Sequence, residues 1–134
     1  MDIPAMNSHL EASYGPNRGP LRPSTHEYAL FYGDPRDGGV EVTGGGYARV
    51  TIDGDTDWNP AVDGGISTNL MQLPDTTDEY DVDPDHWALI YDDGGPVLDD
   101  SGPLSEPLVV TGAGSGPLVR ATPRFADSIN PLED

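Results

Sequence analysis

The sequence predicts an all-β protein: an antiparallel, jelly-roll-like β-sandwich with a short N-terminal helix and an extended arm. Short runs alternate apolar and polar residues with a period of two, as half-buried strands do. Clusters of Gly, Pro, Asp and Asn separate these runs at short intervals, which is typical of sandwiches and barrels. No helical periodicity lies between the runs, so a parallel α/β architecture is excluded.

The first 25 residues are predicted to form an arm ahead of the sandwich. Apolar residues recur there at helical spacing, which predicts a short amphipathic helix over residues 5–13. These residues are Ile3, Met6, Leu10 and Tyr14. Gly15 and Pro16 end the helix, and later prolines favour an extended connector. The predicted organisation is an arm (1–25), a sandwich domain (26–126) and a C-terminal tail (127–134).

The strands of the sandwich are predicted from the alternating runs. In Glu27–Tyr32, apolar side chains point to both faces, which indicates a strand that is covered on both sides. His86–Tyr91 is the clearest run, and Asp92–Gly95 supplies a hairpin turn after it. The predicted strands are residues 27–32, 47–53, 66–73, 86–91, a short piece at 97–98, 104–111 and 118–125.

The chain is strongly acidic. Its 134 residues include 24 acids against 6 basic residues, all arginine, for a net charge of −18. Nucleic-acid binding is excluded on this ground, because phosphates need a basic patch and the arginines are scattered. The same composition is typical of proteins adapted to molar salt, where ions screen the repulsion between surface carboxylates.

Other features of the composition exclude further classes. Because the chain has no cysteine, it has neither a disulfide framework nor a thiolate metal site. Its apolar runs are far shorter than the roughly 20 residues of a membrane helix. No basic-then-apolar signal segment opens the sequence, so we expect a soluble, unprocessed chain without membrane insertion.

Catalytic motifs are not recognisable in the sequence. The three histidines lie in different predicted elements, and no nucleophile-elbow pattern accompanies them. Acids are too numerous for any one pair to indicate glycoside hydrolysis. Gly44–Gly46 lacks the lysine and the following helix of a phosphate loop, and fits a tight entry into a strand. We therefore expect a protein that is not an enzyme and has no catalytic residues and no cofactor.

The stretch Asp53–Pro60, DGDTDWNP, places carboxylates on alternate residues, as calcium loops do. It is not an EF-hand, because Trp58 stands where that loop needs glycine and Gly64 stands where it needs a bidentate glutamate. A looser site is predicted, in which the carboxylates converge on Ca²⁺ or another hard cation without flanking helices. Its candidate metal ligands are Asp53, Asp55 and Asp57.

A calcium-dependent carbohydrate-binding module is the alternative function for this stretch. The three aspartates, with Asn59, would hold the metal, and Trp58 would stack against a sugar ring. Trp58 and Trp87 also fit the opposite role, as anchors of a hydrophobic core.

Several segments of the chain stand in a recognisable order. They are His9–Tyr14, Tyr28–Pro35, Glu41–Arg49, Ile66–Asn69, His86–Asp92 and Leu118–Arg120. In this order they resemble a family of small structural proteins of tailed viruses of bacteria and archaea, which serve as tail-fibre or minor structural proteins and as head decorations. The resemblance spans about residues 7–126, and the Gly-Tyr-Ala-Arg and Trp-Ala-Leu runs carry most of it.

The resemblance implies a protein that acts through its contact surfaces and does not catalyse a reaction. It implies a β-sandwich that assembles as a homo-oligomer on the virion surface, in a tail-fibre or adsorption assembly or as a capsid decoration or turret. The implied partners are other capsid or tail proteins, with a host-surface glycan or protein as a further candidate. Together with the acidic composition, it points to a virus of a halophilic archaeon. The arm either covers a neighbouring subunit or folds back on its own domain, and both alternatives stay open.

We predict that the stability of this chain depends strongly on salt. The melting temperature should fall as NaCl is lowered from molar concentration to about 0.1 M, where the Debye length grows to about 10 Å and surface carboxylates repel one another. Thermal melts followed by circular dichroism at fixed pH measure this change. An unchanged melting temperature across that range would contradict the salt-adapted interpretation.

Overall fold

The computed structural model describes residues 2–124, which are mostly β with one short helix. The elements are α1 (Ile3–Ser13), β1 (Thr25–Tyr32), β2 (Val40–Glu41), β3 (Val50–Asp53), β4 (Met71–Gln72), β5 (His86–Asp92), β6 (Pro96–Pro103) and β7 (Leu118–Val119). One sheet has the order β2-β1-β5-β6, with β3 also paired to β1, and the other contains β4 and β7. All pairs are antiparallel. The antiparallel β-rich architecture is confirmed, whereas the described strands form no closed barrel and do not establish a jelly roll.

The pairing of β1 with β5 forms the centre of the larger sheet. Tyr28 lies opposite Leu89 and Leu30 lies opposite Trp87, and all four side chains are buried in the main core. On the other face, Ala29 and its neighbours form a small second cluster. Aromatic and branched side chains facing each other across an antiparallel pair stabilise that pair. The prediction that the first strand is covered on both sides is confirmed.

The hairpin from β5 to β6 is longer than predicted. Asp92 accepts a hydrogen bond from the Gly95 amide (2.8 Å) and closes the turn, and β6 then runs to Pro103 rather than ending at residue 98. A register shift opposite Leu89 and Ile90 adds a bulge at Asp99. The carboxylate of Asp99 accepts a hydrogen bond from Arg22 of the N-terminal arm.

The predicted strand at residues 104–111 is wrong. The segment is tied to the stretch just before β5, since the Leu104 amide donates to the Asp85 carbonyl (2.8 Å) and the Leu108 amide donates to the Pro84 carbonyl (2.9 Å). Pro107 lies between them and has no N–H, so a continuous ladder cannot form. Residues 104–111 are therefore held by isolated main-chain hydrogen bonds and not by a strand ladder.

The glycine run before Tyr47 is a turn, and the predicted strand at 47–53 begins only at Val50. Gly45 has φ +63, and a Cβ there would lie 2.7 Å from the carbonyl oxygens of Asp78 and Glu79. The backbone of the acidic connector, residues 75–85, packs directly on this turn, and a residue without a Cβ allows that close approach. The preceding short strand β2 was not predicted.

A second antiparallel ribbon is built from residues 65–73 and 117–124. Only two residues on each side form regular strand, but the ladder continues with main-chain bonds from Ile66 to Pro123 and from Thr68 to Ala121 (both 3.0 Å), and from Leu73 to Pro117 (2.9 Å). The predicted strands at 66–73 and 118–125 therefore run where expected but are mostly irregular. Phe125 lies outside the described residues.

The N-terminal helix packs on its own domain. Asp2 caps it by accepting a hydrogen bond from the Ala5 amide (2.9 Å), so the helix starts two residues before the predicted start. Leu10 and Tyr14 belong to the same core as β1 and β5. Glu11 accepts from the amide of Ala61 (2.9 Å) and fixes the helix further. Of the two alternatives for the arm, this chain folds the helix back.

The predicted boundaries of the arm, the sandwich domain and the tail stay predictions. The core that receives the helix extends as far as Ala121, and residues 127–134 lie outside the described part of the chain. Within residues 2–124, no helix has the length and apolar character needed to cross a membrane.

Candidate functional site

The carboxylates of the DGDTDWNP stretch are engaged within their own turn and with the arm. Asp57 accepts a hydrogen bond from the Asp53 amide (2.7 Å), and Asp53 accepts one from the Asp55 amide (2.8 Å). Asp55 forms an ion pair with Arg18 (2.8 Å). Short-range bonds of this kind are what aspartates make in turns. The three side chains thus shape the loop after β3.

The structure does not gather these carboxylates around a common point. In residues 2–124, no group of three or more His, Asp or Glu side chains is arranged to hold a metal ion. Cation binding by Asp53, Asp55 and Asp57 stays a prediction. Trp58 is only 8% exposed and packs against the Tyr14 ring with 4.8 Å between centroids, so its faces lie in the core and not against solvent.

A partly buried charged cluster joins the arm to the bulge of β6. The Asp99 carboxylate accepts hydrogen bonds from the Arg22 guanidinium and from His26 Nε2, the latter at 2.7 Å. His26 is 3% exposed and lies between the rings of Tyr14 and Tyr91. A buried carboxylate needs such partners, because its desolvation is otherwise unfavourable. Local sequence patterns carry no sign of this cluster, since the chain separates its members widely.

The pKa values of the two acids at this bulge shift in opposite directions. Burial raises the pKa of Asp99, but the hydrogen bonds from His26 and Arg22 outweigh it and hold that pKa below its usual value. For Asp100, burial dominates and raises the pKa, despite hydrogen bonds from the Ser101 amide and Arg36. Asp99 therefore stabilises the fold as an anion.

A second histidine, His86, also forms a hydrogen bond with an aspartate that holds neighbouring segments together. His86 Nδ1 lies 2.7 Å from Asp85 Oδ1, which also accepts a hydrogen bond from the Gly33 amide at 2.8 Å. The hydrogen bonds from His86 and Gly33 lower the pKa of Asp85. In the described residues, neither His26 nor His86 is hydrogen-bonded to a serine or threonine hydroxyl, the contact by which a histidine activates such a nucleophile.

The Gly-Tyr-Ala-Arg run contributes a polar brace behind β1. Tyr47 donates to Glu41 (2.7 Å), and its hydroxyl accepts from the buried Leu30 amide (3.0 Å). Arg49 binds both carboxylate oxygens of Glu41 at 2.9 Å. Burial raises the pKa of Glu41, but the hydrogen bonds from Arg49 and Tyr47 lower it by more, so the pKa lies below its usual value. The segment that carries most of the family resemblance is thus a structural brace.

An open groove lies between the segment at 103–109 and the outer strand of the ribbon at 118–122. We call it the 103–122 groove, and its volume is about 460 Å³. Tyr28 and Trp87 line its floor, and exposed Val109 and Leu118 lie on its walls. No local sequence pattern indicates it, because the patterns of both walls predict ordinary strands. The two prolines at 103 and 107 were the available signal.

Comparison with known protein families, curated proteins and solved structures finds no match for this chain. We therefore infer function from the residues, their geometry and the order of the sequence segments.

We predict that Asp99→Asn lowers the free energy of unfolding at pH 7 by about 1.5–3 kcal/mol, the range for hydrogen bonds to charged groups. Because the pKa of Asp99 is depressed by folding, its contribution is present above the unfolded pKa of roughly 4 and is lost as pH falls through the folded pKa. Wild-type stability should therefore decline more steeply below pH 4 than that of the variant. Urea denaturation at constant high salt measures both effects.

Asp55→Asn is the matched control for this prediction. Asp55 also pairs with an arginine, but its side chain is 67% exposed, so the loss should stay below about 1 kcal/mol. Equal effects of the two substitutions, or an unchanged pH slope for Asp99→Asn, would show that the cluster does not stabilise the fold.

Proposed function

We propose that this chain is a non-enzymatic virion structural protein displayed on the exterior of a tailed virus of a halophilic archaeon. It assembles as a homo-oligomer, in a tail-fibre or adsorption assembly or as a capsid decoration or turret. The observation that carries the proposal is the order of the segments from His9–Tyr14 to Leu118–Arg120. The jelly-roll-like sandwich that this resemblance implies is part of the proposal.

The placement of the resembling segments supports this function. Tyr28–Pro35 and His86–Asp92 supply the central strand pair, and Glu41–Arg49 supplies the polar brace behind it. Residues that a family retains for its framework are expected to be buried or braced in this way, whereas residues retained for catalysis are expected in a cleft. The resemblance is thus carried by framework residues.

The surface of the chain also fits assembly on a particle. Leu21, in the connector after the helix, is almost fully exposed, and so to a lesser degree are Val40 of the short edge strand β2 and its partner Tyr32 of β1. Contact between subunits would bury such side chains, and a closed ring of subunits would also cover the sheet edge. The charge of −18 keeps single subunits apart at low salt and is screened at high salt.

The test is to follow the protein through purification of the particles. In density gradients run at molar salt, its amount by mass spectrometry should stay in fixed ratio to the major capsid protein across the particle peak. Antibodies against the chain should label the outside of intact particles in electron micrographs. A virus-encoded replication protein serves as the non-structural control and should not follow the peak. Absence of the chain from purified particles would overturn the proposal.

A further inference from the structure

The outer strand of the ribbon has one paired edge and one open edge. Pro117, Ala121 and Pro123 direct their carbonyls to residues 66–73. In an antiparallel strand the intervening residues direct their N–H and C=O groups the other way. In the part of the chain that the structure describes, no hydrogen bond uses the backbone of Arg120 or Thr122, and both line the 103–122 groove. The open edge therefore faces the groove.

The opposite wall of the groove, residues 103–109, also has backbone groups that pair with no strand among the described residues. Leu104 and Leu108 are tied by their amides to residues 84–85, but within residues 2–124 the residues between them line the groove without pairing across it. Val109, next to Leu108, is 59% exposed. Two extended segments thus lie on either side of a gap with apolar side chains on its walls.

Three polar groups at this gap lack partners. The Tyr28 hydroxyl is fully buried and has no hydrogen-bond partner within the described residues. Arg120 forms no ion pair in residues 2–124, although the chain has four times as many acids as bases. The other arginines there bind carboxylates or a carbonyl: Arg18, Arg22, Arg36, Arg49 and Arg124. Glu106 on the facing wall likewise has no ion pair among the described residues.

We propose that the 103–122 groove binds an extended segment of a partner polypeptide by β-augmentation. The segment pairs its backbone with residues 118–122 and places alternate apolar side chains toward Tyr28 and Trp87. The exposed Arg120 guanidinium and Glu106 carboxylate, which form no ion pair among the described residues, give it polar anchors. Its net charge is neutral to basic, because a chain of charge −18 repels acidic segments.

The observations favour a peptide over a glycan. Sugar sites present an exposed aromatic face, but Trp87 is 3% exposed and meets the groove from within the core. Open backbone groups beside exposed aliphatic side chains are instead what an added strand uses. A length of five paired residues spans about 16 Å of extended chain. This inference does not depend on the proposed place in a virion.

The test is selection from a displayed library of random nine-residue peptides on the purified chain, at the lowest salt at which circular dichroism shows it folded, because molar salt would screen the charge preference. Enriched peptides should alternate apolar and polar residues and carry neutral or positive net charge. Fluorescence anisotropy with each synthesised peptide then measures affinity. Leu118→Asp should weaken binding by about tenfold or more, as loss of a central apolar contact does. Leu70→Asp is the matched control, since Leu70 is 57% exposed against 62% for Leu118 and lies outside the groove.

Backbone pairing is tested by N-methylation of the bound peptide. A strand directs alternate amides to opposite edges, so methylating one alternate set should abolish binding and methylating the other should not. Arg120→Glu is a second groove variant on the exposed surface, and it too should weaken binding. Circular dichroism melts verify that each variant is folded.

Several results would overturn the proposal. They are failure to enrich any peptide over a blank surface, binding unaffected by both groove variants, and equal effects of the two methylated sets. Capture of oligosaccharides without peptides would assign the groove to glycans. Conversion of an oligomer to monomers by Leu118→Asp, without peptide binding by the wild type, would assign it to self-association. Each result is independent of whether the chain is found on particles.

Discussion

The pairing of β1 with β5 is the interaction on which the rest of this structure depends. It places Tyr28, Leu30, Trp87 and Leu89 on one face, where they form the centre of the main core. The helix and the ribbon have few hydrogen bonds to that sheet among the described residues, so apolar contact with this face largely decides where they lie. Burial of large apolar side chains is the dominant favourable contribution to such packing.

The few arginines of the chain hold the irregular segments around that centre. Arg18 and Arg22 tie the arm to the loop after β3 and to the bulge of β6, while Arg36 and Arg49 bind carboxylates near β6 and β2. Bidentate or buried guanidinium pairs hold geometry better than exposed single contacts. Most of these arginines are committed to the fold, whereas Arg120 forms no ion pair within residues 2–124 and is the basic residue that the proposed partner segment would meet.

Sequence patterns predicted the elements whose stability is local and missed those set by distant contacts. β1 and β5 were predicted because alternating aromatic and branched residues identify a buried pair. β6 was predicted too short, because its Asp, Ser and Gly residues are poor strand formers and only pairing with β5 makes them a strand. The apolar run at 104–111 was predicted as a strand, yet its proline breaks the ladder.

The candidate sites divide in the same way. Alternate carboxylates at 53–57 form a local pattern that a metal loop and an aspartate-capped turn share, and sequence alone could not separate the two. The cluster of His26 with Asp99 joins residues far apart in the chain, so no local sequence motif predicts it. The 103–122 groove exists only because two segments fold side by side, and no local pattern contains it.

Native-state hydrogen exchange tests the central role of the β1–β5 pair most directly. If that pair organises the fold, the amides that β1 and β5 share should exchange slowest, with a protection free energy close to that of global unfolding. Amides of the helix and of the ribbon should exchange earlier, through local opening that leaves the pair intact. Protection that is highest in the helix or the ribbon, with β1 and β5 exchanging first, would contradict this account.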